Sequence, residues 1–193
     1  MAGHGHGADH GGGNKGTALL IAILALFLAL AETGAKAAQT EALTRNIEAA
    51  NLWAFFQART IRQTTVRTAA EQTALELLAA DEARRTALTR QIDTWRESAT
   101  RWESEPATGE GRRELAARAR GAETIRDRSM AAYHHYEVGS AAFQVAIVLA
   151  SAAIVTSVPL LTILGGILGV AGIALTGIGF FAPEAVHLFG GGH

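Results

Sequence analysis

SAAFQVAIVLASAAIVTSVPLLTILGGILGVAGIALTGIGFF, residues Ser140–Phe181, contains no Asp, Glu, Lys or Arg. A hydrocarbon core takes about 20 apolar residues per helical crossing, so this stretch is long enough for two. Pro159 stands near its middle. The stretch therefore predicts two membrane helices, 140–158 and 160–181, joined by a tight turn around 157–162. The rest of the chain has to be arranged around that hairpin.

Upstream, 17–35 is a second apolar run. Glu32 and Thr33 come near its end, where a bilayer interface tolerates them, so the run predicts a first crossing. Ala29-Leu30-Ala31 and Ala35-Lys36-Ala37 match the small-x-small pattern of a signal-peptide cleavage site. The tail ahead of the run is only weakly basic, with Lys15 alone, and this favours an uncleaved anchor. A carboxylate at membrane depth is a candidate ion ligand. Glu32 is that candidate, against the simpler reading in which it reaches the headgroups with Lys36 one turn on.

Residues 1–16 are rich in Gly and His and predict a disordered tail. His4, His6 and His10 could chelate a divalent metal there, although a mobile chain lacks groups to orient its ligands. At the other end, 182–193 is a short tail that leaves the membrane at Pro183.

Between the first crossing and the hairpin lie the charges. No Gly or Pro occurs from Lys36 to Glu105, and good helix formers dominate. Leu43, Ile47, Ala50, Ala54, Gln57 and Ile61 keep a 4-3 spacing, which Leu75, Leu78 and Glu82 continue loosely. Leu88, Ile92, Trp95, Ala99 and Trp102 make a cleaner seam. Both predict helix-on-helix packing of coiled-coil type. Pro106-Ala107-Thr108-Gly109-Glu110-Gly111 is a loop, because Pro stops one helix and the glycines free the reversal. Thr108 is the expected cap of the next helix, with Glu110 in its first turn.

Helix geometry adds a constraint. One straight helix from Lys36 to Glu105 would rise ~100 Å, and the arm from Gly111 to Gly139 returns only ~45 Å. The outgoing arm must break, and 79–85 is where one seam fades and the next begins. The expected fold class is an all-α membrane protein. It has three transmembrane helices plus an extramembrane antiparallel helical, coiled-coil-like domain at 36–139, with helices at 36–79, 83–105 and 111–139. The last of these is expected to run unbroken into the membrane.

Several residues point to contacts. Ala146 and Ala150 on the second crossing, and Gly165, Gly169 and Gly172 on the third, form small-residue faces that allow close helix approach. They suit either a subunit interface or packing of the hairpin against itself. Trp53, Phe55 and Phe56 span more than one helix face. They therefore suit a second subunit, or else a wide core inside the domain. Tyr133-His134-His135-Tyr136-Glu137 matches an interfacial aromatic belt. His134 or His135 with Glu137 is a weaker metal candidate, since adjacent His residues point to different helix faces.

The block Asn51-Leu52-Trp53-Ala54-Phe55-Phe56-Gln57-Ala58-Arg59-Thr60-Ile61-Arg62-Gln63, with Thr40-Glu41-Ala42-Leu43 before it, resembles a bacterial membrane-protein family known as domain of unknown function 4337. Arg126-Asp127-Arg128, the Tyr133–Glu137 block and Gln144–Ser151 carry the same resemblance. It extends over about 17–180 and implies a bacterial membrane location and this helical layout; the expected location is the bacterial inner membrane. It supplies no activity, cofactor or catalytic residue.

The remaining features exclude more than they assert. The absence of Cys removes disulfides, thiolate metal sites and cysteine nucleophiles. The net charge of −1 gives no basic field for nucleic acid. There is no phosphate-binding glycine loop, nucleophile elbow or HExxH motif. The expected function is a non-catalytic, self-assembling helical scaffold or interaction protein, with the lipid bilayer, copies of itself and a protein on the helical domain as candidate partners, and no cofactor. An oligomeric channel or transporter lined by small-residue helices is the alternative. Lys36, Arg45, Arg120, Arg126 and Arg128 outnumber Lys15 across the bilayer, which places the helical domain in the cytoplasm.

Overall fold

The structure, a computed structural model, describes residues 11–186. Four α-helices follow one another among the described residues: α1 Gly11–Glu76, α2 Glu82–Glu103, α3 Arg112–Thr156 and α4 Pro159–Phe181. No strand occurs among them. α1, α3 and α4 are each long and apolar enough to cross a membrane by length and composition. α1 already begins at Gly11, so part of the stretch expected to be a loose tail is helical. An established helix extends backwards at little cost, because the costly nucleating turn is already made.

The outgoing arm is interrupted after Glu76 by a 3-10 turn, Leu77–Ala79. Ala80 is extended, and Asp81 then caps α2 by accepting the Arg84 N–H at 2.8 Å. α3 runs without a break from Arg112 through Ser140 to Thr156. The chain then turns in two residues. Ser157 takes φ +59° in the left-handed region, Val158 is extended, and Pro159 opens α4. The extended Val158 is what a following proline imposes.

The chain forms two compact units, one of residues up to Ala42 with those from Asp127 onward, the other Leu43–Arg126. In the first, the apolar unit, the core is Leu24, Ala31, Phe143 and Ala146, with the Phe27 and Phe143 rings stacked at 6.0 Å. The small residues set how close the helices come. A Cβ on Gly165 would lie 2.9 Å from the Ala146 carbonyl oxygen, and one on Gly172 would lie 2.7 Å from the Phe143 ring. On Gly169 it would meet Leu24 at 2.5 Å.

In the second, the polar unit, α1 buries a strict 3-4 series: Ala49, Leu52, Phe56, Arg59, Gln63, Val66 and Ala70 are buried or half-buried. The seam expected from Leu43, Ile47, Ala50, Ala54, Gln57 and Ile61 faces outward instead, with Leu43 57 %, Ile47 60 % and Ile61 67 % exposed. Two apolar stripes of the same period share this helix. The one that packs inside carries polar residues which find partners there. The α2 seam lies as the spacing predicts, with Ile92 and Ala99 buried and Leu88, Trp95 and Trp102 half-buried.

Candidate functional site

The apolar unit holds a groove of about 730 Å³ between α1, α3 and α4. Phe27, Leu30, Ile173 and Phe180 make its apolar walls, and Arg128 and Ser129 stand at one end. Tyr136 forms part of the lining, and two glycines seat it. A Cβ on Gly34 would come within 3.1 Å of the Tyr136 ring, and one on Gly179 within 3.5 Å. The ring therefore lies directly against two helix backbones. Pro183 closes the same end of the groove as part of the turn after α4. That turn is held by His135, only 1 % exposed, whose Nε2 lies 3.2 Å from the Pro183 carbonyl oxygen and 2.9 Å from that of Val186. Two acceptors at Nε2 require the hydrogen to sit there.

The polar unit contains a connected set of charged and amide groups. Gln63, 1 % exposed, donates from Nε2 to the Ala99 carbonyl at 2.8 Å and to Glu103 at 3.0 Å. Arg112 donates to the Gln63 Oε1 at 2.7 Å, to Glu103 at 2.8 Å and to the Thr60 hydroxyl at 2.9 Å. Its guanidinium also covers the Phe56 ring at 4.9 Å. One amide and one guanidinium thus tie α1, α2 and α3 together. The loop between α2 and α3 is fastened beside them. Arg59 pairs with Glu110 at 2.6 Å, and Glu114 accepts from the Ser104 hydroxyl at 2.6 Å and the Glu105 N–H at 3.1 Å. Hydrogen bonding, first from Gln63, with Arg112 and Arg113 adding charge, holds the Glu103 carboxyl below its ordinary 4.5. Glu114 is likewise lowered, chiefly by Ser104. Gly109 supplies the positive φ of the loop, +70°. α3 starts at Arg112 with Glu114 in its first turn. Thr108 is not its cap: the Thr108 hydroxyl accepts from the Glu110 N–H at 3.3 Å, inside the loop.

The residues singled out by sequence fall as follows. Ala146, Ala150, Gly165, Gly169 and Gly172 are all buried within the chain. Gly165 and Gly172 lie against Ala146 and Phe143 of α3, and Gly169 lies against Leu24 of α1. Trp53 is half-buried on Leu52, Leu115 and Ala119, and its indole N–H donates to Glu123 at 2.9 Å. Phe56 stacks edge-on against it at 5.4 Å, while Phe55 is 38 % exposed under Arg59. The aromatic block is thus mostly internal, and only Phe55 is turned outward. Glu32 is exposed on α1. His4, His6 and His10 lie outside the described residues. No cluster of three metal-ligating side chains occurs among the described residues; His135 faces backbone carbonyls, and His134 Nδ1 lies 3.8 Å from the Glu137 carboxylate. Tyr136 and His135 belong to the interior of the apolar unit instead of an outward aromatic belt. The groove and the Gln63–Arg112 set left no sequence motif. Only Gln63 gave a hint, as a polar residue in register with Leu52, Phe56 and Ala70.

The family model described as a domain of unknown function (DUF4337) matches residues 13–182. This chain belongs to the DUF4337 family. The match takes in all four helices, including both units. No curated protein and no solved structure matches the chain.

Proposed function

We propose that this DUF4337 chain is a non-catalytic membrane scaffold that assembles with copies of itself. Three segments, in α1, the second half of α3, and α4, cross the bilayer, and the helices between the first two crossings stand on one side of it. The charge balance of the flanks supports the cytoplasmic side of a bacterial inner membrane.

The observation that carries self-assembly is the outward stripe on α1. Leu43, Ile47 and Ile61 are exposed, and between them Ala50 and Ala54 are small and exposed and Gln57 is an exposed polar member. A 4-3 apolar stripe on a helix whose opposite face is already packed is what a second helix reads as a coiled-coil seam. An exposed apolar stripe of this kind marks an interaction surface. The stripe has the same period as the inner one, so a copy of α1 is its simplest complement.

Mass measurement of the detergent-solubilised protein tests the reading. The expected result is an oligomer that Ile47→Glu with Ile61→Glu converts to monomer, the helix content unchanged. Both side chains are exposed, so the pair should leave the protomer fold intact. A wild-type protein that is monomeric at all workable concentrations would refute self-assembly.

A further inference from the structure

We propose that the groove between α1, α3 and α4 holds one acyl chain of an anionic phospholipid, with Arg128 binding its phosphate. The inference rests on the membrane reading and is independent of self-assembly.

Three observations lead to this ligand class. The first is the wall. Phe27, Leu30, Ile173 and Phe180 offer hydrocarbon, and the Tyr136 ring lies seated against Gly34 and Gly179. Such a surface suits an alkyl chain and not a polar solute. The second is depth. From Phe27 to Ala38, both in the lining, α1 rises about 16 Å, close to the roughly 15 Å of one leaflet of hydrocarbon. The third is charge. Arg128 stands at the end of the groove away from Phe27 and Ile173. It is exposed and has no carboxylate partner among the described residues. Ser129 beside it adds a hydroxyl donor. A guanidinium at the mouth of an apolar slot is complementary to a phosphodiester above an acyl chain. The turn after α4, held by His135 at the buried Pro183, keeps that end of the groove in shape.

Gly177 allows a clean test. It lines the groove, and a Cβ placed on it would meet nothing within 4 Å. Gly177→Phe therefore fills the groove without a backbone clash. The chain in non-ionic detergent is mixed with dioleoyl phosphatidylglycerol or dioleoyl phosphatidylcholine, and retained lipid is counted by native mass spectrometry. The expected preference for phosphatidylglycerol is about five-fold, the factor one basic residue carries at an anionic surface. Arg128→Gln should bring phosphatidylglycerol down to the phosphatidylcholine level. Gly177→Phe should lose both lipids with helix content and melting unchanged. Glycerol phosphate, which has no acyl chain, should not compete. Retention that is equal in wild type and Gly177→Phe overturns the proposal, as does a preference that Arg128→Gln leaves in place, or full competition by glycerol phosphate. Alkaline washing of membranes tests the crossings separately. A chain that stays in the bilayer but shows no groove-dependent lipid defeats this inference alone.

Discussion

At the residue scale, the clearest contrast is between neighbouring glycines. A Cβ on Gly165 would press on the backbone oxygen of Ala146, whereas one on Gly166 would meet nothing within 4 Å. Backbone on α3 has no rotamer with which to yield. Gly165→Ala is therefore expected to cost about 1–3 kcal/mol by forcing the helices apart, while Gly166→Ala should be neutral or stabilise by about 0.4–1 kcal/mol. Thermal unfolding in detergent compares the two, and equal effects would mean that α3 and α4 do not approach closely here. A second residue-scale outcome concerns acid. The folded Glu103 and Glu114 carboxyls titrate below their ordinary 4.5. Depressed carboxyls contribute stability that is present above the ordinary value and lost as pH falls through the folded one. The polar unit should thus hold its stability at neutral pH and lose it below about pH 4.5. Glu103→Gln should flatten that loss in acid unfolding curves. The spacing of Gly165, Gly169 and Gly172 was legible as a close-packing face. What it packs against was not, because small-residue periodicity is the same whether the partner is another subunit or the next helix.

At the element scale, composition and geometry carried most of the information. The charge-free stretch with a central proline marks the hairpin, and the turn falls at Ser157–Val158. The rise of a straight helix demands a break in the outgoing arm, and the 3-10 turn at Leu77–Ala79 provides one. The seam of α1 differs from the expectation. Ile47 and Ile61 outweigh Arg59 and Gln63 in any hydrophobic count, so the apolar stripe looks like the inner one. The inner stripe wins because its polar members find partners, although the buried Arg59 Nε has none. Gln63 has Ala99, Glu103 and Arg112, and Arg59 has Glu110. Those partners lie 36 to 51 residues away in the chain, beyond the reach of any periodicity. Removing one member should cost more than its net bond energy, because the others are left buried and unpaired. Gln63→Ala is expected to destabilise the polar unit by about 1–3 kcal/mol, read as a shift in the denaturation midpoint. A change near zero would mean that water replaces the amide and that the set is not a clamp.

At the scale of the whole molecule, the account depends on which faces see lipid. Ala25 on α1, Val148 on α3 and Val170 on α4 are all exposed in the folded chain, and so is Thr89 on α2. In water all four would be equally open to a reagent. In a bilayer the first three are covered by hydrocarbon. The absence of Cys from the sequence makes single replacements unambiguous. The most direct measurement is therefore labelling of Ala25→Cys, Val148→Cys, Val170→Cys and Thr89→Cys by a charged maleimide in membranes opened so that both faces are accessible. Reaction at residue 89 with none at 25, 148 and 170 is the predicted pattern, and detergent denaturation should make all four react. Equal labelling of the four before denaturation would contradict the three crossings.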